Sequence, residues 1–380
     1  MKKILIFSLA YYPRHVSGAE AAVKEITDRV SGIEFHMVTL RFDAADAATE
    51  KVGNVLVHRV GGDSYFAKIL FPLLAALKAR SLNRRHRFDA LWAMMTYMLL
   101  PVVLAKFLGV RAPHMLTLQD GDPYKKVFGR LRILPLLPLI DRGFCTTSMV
   151  QAISGHLATW PKRRGYKGPI EIIYNGANPR DLAESSDPAA VEALKKKLGK
   201  KEGDVYLVNT ARLEYQKAQD DVIRALLLLP VNIKFLIVGG GSDETMLKNL
   251  VKVLKLEDRV VFTGQVMRDE VTLYRKVSDI FAAPSRSEGL GNAFLSAMAS
   301  RLPVVATTEG GLAEFIFDGK TAWVVDVDSP EQIAAAVKDI LANPEKVRKV
   351  TEVARAMVVE KYDWDKIAVQ MRERVFEKVL

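Results

Sequence analysis

"DIFAAPSRSEGLGNAFLSAMASRLPVVAT", residues 279–307, runs from an apolar stretch through an acid and two glycines into a small-residue segment and a second β-branched run. Strand, turn, helix and strand in that order make a β-α-β unit of a parallel sheet covered on both faces. Glu288 follows the first strand, at the carboxyl end, where open α/β sheets bind their ligands. Gly289 and Gly291 remove side chains where backbone must approach something closely. A helix from about Asn292 offers free N–H groups and a positive dipole end, which suits a phosphate. Beside such an anion site a carboxylate serves better as acceptor for hydroxyls, as on a sugar. Read alone, the stretch is almost as well explained as a structural turn with a surface glutamate.

Similar strands recur along the chain. The first series is "KILIFSL", "FHMVTL", "VLVHRV", "ALWAM", "MLTLQ", "GFCTT" and "EIIYN", with helical patterns at Ala19–Val30 and Phe66–Arg80. The second is "VYLVNTA", "KFLIVGG", "RVVFTG", "DIFAAP", "PVVATT" and "AWVV". The chain of 380 residues exceeds a single ordinary core of ~150 residues. The expectation is an α/β protein of two Rossmann-like, doubly wound domains, residues 1–178 and 179–363. The polar segment between Asn175 and Asp204 contains the boundary, and a cleft between the domains is the default site.

With 49% hydrophobic residues, large cores can form. The lone cysteine, Cys145, excludes internal disulfides and multi-cysteine metal sites, and reads as a small buried hydrophobe in the strand "GFCTT". "MKKILIFSLA" has the lysines and apolar run of a secretion signal but no small-residue cleavage site, so a first buried strand is preferred. Leu91–Val110 splits into strand, loop and helix, leaving no run of the ~20 residues needed to span a bilayer. The chain therefore reads as soluble or bound at a membrane surface.

Charge is uneven. Residues 1–178 carry 25 Lys or Arg against 13 acids, net +12, whereas the remainder is −1. An anionic partner for the first half follows. Phe66, Ile69, Leu70, Leu73, Leu74 and Leu77 form a helical stripe with Lys68, Lys78, Arg80, Arg84, Arg85 and Arg87 around or after it. Residues 123–167 hold nine Lys or Arg and one acid, Asp141. Core helices with solvated cationic faces are one account, and docking on anionic lipid is the other. Nucleic acid is disfavoured, because no aromatic-interleaved basic groove is present.

Other loops fall at strand ends. "NTARLEYQK" places Arg212 and Lys217 where paired phosphates could be held, although solvated loop charges explain them equally. "IVGGGSDE" brings Gly240 into a glycine loop without dinucleotide spacing, so NAD is disfavoured. "TTEGGLAEFI" supplies a further glycine pair. In the first half, "YYPRHVSGAEAAV" enters a helix through Ser17 and Gly18, and "TLQDGDP" presents Gln119, Asp120 and Asp122. Asp120 is a candidate for positioning an acceptor, although Asp-Gly-Asp-Pro is also good turn chemistry. The histidines at 15, 36, 58, 86, 114 and 156 show no ligand spacing, and neither a nucleophile elbow nor a Walker loop occurs. No metal site is expected.

Taken together these motifs resemble the glycosyltransferases of family 4 (glycosyl transferases group 1), retaining enzymes of GT-B architecture. "Y-x-P" before a Gly-x-Glu helix start, the "NG" after the first sheet, "ARL" before Lys217, and "PSRSEGLGNAFLSAMA…PVVATTEGG" occur in the family's order. The resemblance implies two Rossmann-like domains facing across a cleft, with helix 364–380 packing back on the first. A nucleotide-sugar donor, a UDP- or GDP-sugar, would sit mainly on the second domain and no separate cofactor or metal would be needed. Arg212 and Lys217 would hold the diphosphate, with Gly18 approaching it. Glu288 would contact sugar hydroxyls, with backbone N–H groups of Gly289, Leu290, Gly291 and Asn292 around sugar and phosphate. The acceptor would be a glycan or lipid-linked group in polysaccharide biosynthesis, and the location cytoplasmic, either free or at the inner face of the plasma membrane.

Three positions depart from the family pattern. Ser296 stands where a second glutamate, seven residues beyond Glu288, usually accepts from ribose hydroxyls. Arg301 occupies the place of a helix-ending glycine, and Gln119 that of an acceptor-side histidine in some members. A weakened or non-catalytic sugar-nucleotide-binding protein is therefore an alternative. A GT-B epimerase is less favoured, because its acid–base carboxylates cannot be placed.

Overall fold

The computed structural model describes residues 1–13, 16–183 and 187–380, with the side chains of residues 268 and 269 left aside. Arg14 and His15, within the stretch expected to form the loop before Gly18, and residues 184–186 of the expected boundary lie outside the described residues. The chain forms two compact units, Met1–Asn175 with Trp364–Leu380, and Gly176–Asp363.

The first unit is built on eight strands: β1 (Lys2–Phe7), β2 (Ile33–Leu40), β3 (Thr49–Val52), β4 (Val55–Val60), β5 (Ala90–Met94), β6 (His114–Leu118), β7 (Met149–Ala152) and β8 (Ile170–Ile172). Their order is β3-β4-β2-β1-β5-β6-β7-β8. Among the described strands of this sheet only β3 runs antiparallel, paired with β4 through a tight turn. It was not anticipated, because "TEKV" is a polar edge strand without an apolar signal. β1 lies between β2 and β5, so the order reverses there. The loop after β1 thus opens at a topological switch point.

Three helices matter here: α1 (Gly18–Arg29), α2 (Tyr65–His86) and α3 (Leu99–Phe107). Ser17 begins α1 as one half of a capping box, its amide donating to Glu20 Oε2 at 2.7 Å. α2 continues beyond the expected Arg80 to His86 and stops at Arg87, whose left-handed backbone ends the helix. Among the described residues no helix is long and apolar enough to cross a membrane.

The terminal segment belongs to this unit's core. Trp364, Ile367, Ala368, Met371, Val375 and Phe376 are buried with Ile4, Phe35 and Trp92. Phe376 meets Trp92 edge-on at 5.1 Å, and Asp365 accepts from Arg29 at 2.6 Å. Burying each such large side chain contributes roughly 1.5–3 kcal/mol, so the segment is integral.

One expectation is corrected. Cys145 is exposed, at the end of the helix Leu137–Cys145 rather than in a strand. "LPLIDRGFC" places Ile140, Gly143 and Phe144 on one buried helical face, and the strand begins only at Met149. The change of unit falls after Asn175, at the start of the segment between Asn175 and Asp204. Asn175 Nδ2 donates to Gln119 of the first unit at 2.9 Å, whereas the Asn178 amide donates to Ser296 Oγ of the second at 3.0 Å. The polar stretch that follows is no loose linker: Asp181 is buried in an ion pair with Arg275 and accepts from Ser300 Oγ at 2.8 Å.

The second unit is a parallel sheet of β9 (Val205–Thr210), β10 (Ile233–Val238), β11 (Val260–Gly264), β12 (Ile280–Ala283), β13 (Val304–Ala306) and β14 (Trp323–Val324), ordered β11-β10-β9-β12-β13-β14. Its strands are nearly continuous apolar runs because helices cover both faces. β9 pairs with β10 on one side and β12 on the other. The loops after β9 and β12 therefore leave the sheet at its switch point.

Candidate active site

At that switch point the loop after β9 carries Arg212 and Lys217, and the loop after β12 carries Glu288. Lys217 Nζ lies 2.7 Å from Glu288 Oε1, with the two side chains 13% and 10% exposed. Ser285 Oγ donates to the same carboxylate oxygen at 3.0 Å. The carboxylate is thus aimed, with its second oxygen left for another donor. An ammonium with three N–H donors keeps two after this contact.

Glycines pack closely against the backbone of the Glu288 loop. A Cβ on Gly310 or Gly311 would stand 2.1 Å from the carbonyl oxygen of Glu288 or Gly289 respectively, and the Gly311 amide donates to Glu288 O at 3.0 Å. Gly291, at φ 98°, precedes the helix Asn292–Ala299 in a conformation that side chains avoid. Leu290 is buried beneath, and Asn292 Oδ1 is buried with no hydrogen-bond partner in the structure.

Arg286 was not singled out by sequence, yet it ties the two loops together. Its guanidinium donates to Asp220 at 2.9 Å, Asp221 at 2.8 Å, Asp328 at 2.6 Å and Tyr215 O at 2.9 Å. Its own amide donates to Gln216 O at 2.8 Å. Burial and then the neighbouring Asp220 push the Asp221 carboxyl up to about 6, outweighing Arg286. The signal was invisible because the acids lie far away in sequence.

The remaining second-unit residues take distinct places. Arg212 is 61% exposed and paired with Glu214 at 2.5 Å, a surface contact worth little and easily exchanged. Gly239 and Gly241 are the crowded members of their triplet, each pressed against the 211–213 backbone, whereas a Cβ on Gly240 meets nothing nearer than 3.8 Å. Ser296 is 5% exposed and accepts from the Asn178 amide. Arg301 has φ 60°, in the left-handed region.

In the first unit, Gly18 opens α1 and Gln119 and Asp120 follow β6. Asp120 Oδ2 accepts from the Thr96 hydroxyl at 3.0 Å and its amide at 3.3 Å, and burial pushes its carboxyl up to about 6. Gln119 Nε2 is buried without a partner. Asp122 is engaged by Lys126 and Arg130, which makes it part of the local turn.

Two family models divide the chain: one described as Glycosyltransferase Family 4 matches residues 16–181, and one described as Glycosyl transferases group 1 matches residues 190–357. The chain belongs to the family-4 glycosyltransferases. It is 33% identical over 199 residues to GDP-mannose-dependent alpha-(1-6)-phosphatidylinositol monomannoside mannosyltransferase of Mycobacterium tuberculosis, covering 49% of this chain and 51% of that one. It is 32% identical over 213 residues to N-acetyl-alpha-D-glucosaminyl L-malate synthase of Bacillus anthracis, covering 56% of this chain and 54% of that one. The match thus spans about half the length of these curated relatives. Among solved structures, HepE of Anabaena with UDP and glucose superposes with TM-score 0.81 at 22% identity, over 99% of this chain and 100% of that one. Sucrose-phosphate synthase of Thermosynechococcus elongatus gives TM-score 0.83 at 19% identity, over 99% of each chain. This family-4 glycosyltransferase therefore has the GT-B fold.

Proposed function

We propose that this protein is a retaining hexosyltransferase that moves a sugar from a nucleotide-sugar donor to a glycan or lipid-linked acceptor without a metal ion in the transfer step. The observation that carries the reading is the Lys217–Glu288 pair at the β9/β12 switch point, beside the helix opening at Asn292. Lys217, Arg212 and the helix N-terminus supply positive charge for the departing diphosphate, which is where negative charge grows. Glu288 accepts from sugar hydroxyls through its second oxygen. Gly240, where a Cβ would meet nothing nearer than Gln265 at 3.8 Å, is the uncrowded glycine of its loop and the one free to meet a nucleotide. The acceptor oxygen bonds to the anomeric carbon on the face the diphosphate leaves, and its proton passes to a diphosphate oxygen.

The names of the relatives support both GDP- and UDP-sugars as donor classes. Gln119 and Asp120 form the proposed acceptor side, with Asp120, raised to about 6, poised to accept a hydrogen bond from an incoming hydroxyl. The exposed face of α2 supports peripheral contact with anionic lipid at the inner face of the plasma membrane: Phe66, Ile69, Leu70, Leu73 and Leu77 are each at least 47% exposed. A binding protein without transfer activity is the second reading, favoured by the hydroxyl of Ser296 and its engagement with Asn178.

A thermal-shift panel of UDP-, GDP- and ADP-sugars, followed by radiolabelled transfer with the stabilising donor, tests the proposal. Stabilisation with transfer supports it. Stabilisation without transfer or donor hydrolysis sustains the second reading, and no stabilisation by any nucleotide sugar removes both.

A further inference from the structure

Far from the loops described above in sequence, the first unit gathers three residues that no spacing revealed. Glu34 and His36 stand two apart on β2 and so face the same side of the sheet. α2 packs on β2 and ends at His86, whose ring lies 4.5 Å from that of His36. One ligand atom from each of Glu34, His36 and His86 falls within 4.8 Å of the other two. His36 is buried, whereas Glu34 and His86 are partly exposed, which leaves a way in from solvent.

The geometry points to a binding site for a borderline divalent cation, zinc foremost, held by Glu34, His36 and His86. His36 Nε2 already faces Glu34 Oε1 at 2.6 Å, and its Nδ1 lies 3.1 Å from His58 Nε2. His58 Nδ1 is in turn 3.4 Å from Thr49 Oγ1. A ligating imidazole is oriented by a hydrogen bond from its other ring nitrogen, and His58 is placed to receive it. Metal–ligand bonds of about 2.0–2.2 Å require the three atoms to draw closer together, and the partly exposed Glu34 and His86 have room to move. Three protein ligands leave a fourth position for water.

Two imidazoles and one carboxylate favour zinc, cobalt or nickel over magnesium or calcium, which prefer oxygen. Lys3 contacts the other Glu34 oxygen at 3.4 Å, and Lys78 and Arg85 add positive charge nearby. That charge opposes a hard cation held by electrostatics alone and leaves ions whose bonds to imidazole are strong. Bound there, the ion clips β2 to the last turn of α2.

The test is calorimetric titration of the full, tag-free chain with Zn2+, alongside Co2+ absorption spectroscopy. One saturable Zn2+ site and a Co2+ ligand-field band are expected. His86→Ala and Glu34→Gln should each weaken binding roughly tenfold or more, while His156→Ala leaves it unchanged. Because both altered residues are partly exposed, circular dichroism of the metal-free variants checks their fold. Absence of saturable Zn2+ binding overturns the site, as does wild-type affinity in both folded variants.

Discussion

Lys217 Nζ meets Glu288 Oε1 at 2.7 Å across 71 residues of sequence, joining the loops that leave β9 and β12. Removing the carboxylate strands a mostly buried ammonium. Glu288→Ala should cost roughly 1–3 kcal/mol of stability and reduce transfer about 100-fold or more. Glu288→Gln should keep more of the stability and still lose transfer. Thermal unfolding and radiolabelled transfer read the two effects, and full activity in either variant removes Glu288 from the site.

Ser296 offers one hydroxyl, and one of its two lone pairs already serves the Asn178 amide. A glutamate there can accept from that amide and from a ribose hydroxyl together. Ser296→Glu should therefore tighten nucleotide binding by about 10- to 150-fold, the equivalent of roughly 1.5–3 kcal/mol. Calorimetry with UDP and GDP measures it, and unchanged affinity for both sinks the ribose assignment.

Gly311 and Gly240 separate packing from contact. Gly311→Ala drives a Cβ into the Gly289 carbonyl and should destabilise the second unit by about 1–3 kcal/mol. Gly240→Ala has space and should leave the melting temperature unchanged while weakening nucleotide binding. A Gly240→Ala protein with undiminished affinity shows that the donor does not touch this residue.

Histidine burial makes the first unit acid-sensitive. Burial, then the Lys106 charge, lowers His114 to about 4, below its unfolded value near 6.5. Between those values the unfolded chain holds a proton the folded chain lacks, so this group reduces stability as pH falls below 6.5. Asp120, raised to about 6, acts oppositely: its folded form binds the extra proton, so its contribution grows as pH falls from 6 toward 4. His114→Gln should flatten the loss of stability between pH 6.5 and 4.5, and Asp120→Asn should steepen it. Urea unfolding across that range provides the check, and unchanged slopes in both variants contradict the assignments.

The lipid contact rests on α2. Replacing Phe66, Ile69 and Leu73 with serine should abolish flotation on anionic vesicles without lowering the melting temperature, since all three are exposed. Wild-type protein that fails to float on anionic vesicles argues against the contact altogether.

Much of the fold was legible because parallel strands buried on both faces leave unbroken apolar runs, as "KFLIVGG" and "DIFAAP" do. β3 escaped because an edge strand needs no such run. Cys145 was misplaced because "GFCTT" is β-like in isolation, while the helix that claims it begins at Leu137. The glycines and Glu288 were readable as local chemistry. Arg286 was not, since its role depends on Asp220, Asp221 and Asp328 converging from separate elements. Glu34, His36 and His86 were hidden for the same reason.

The segment beginning at Trp364 completes a core whose other members end at Asn175, with the whole second unit synthesised between them. The intervening unit is continuous in sequence and can therefore fold while still tethered to the ribosome. The first must wait for Trp364 and Phe376 to emerge, leaving the faces of Phe35 and Trp92 that they cover open meanwhile. During synthesis it is thus the earlier-made half that is the later to mature.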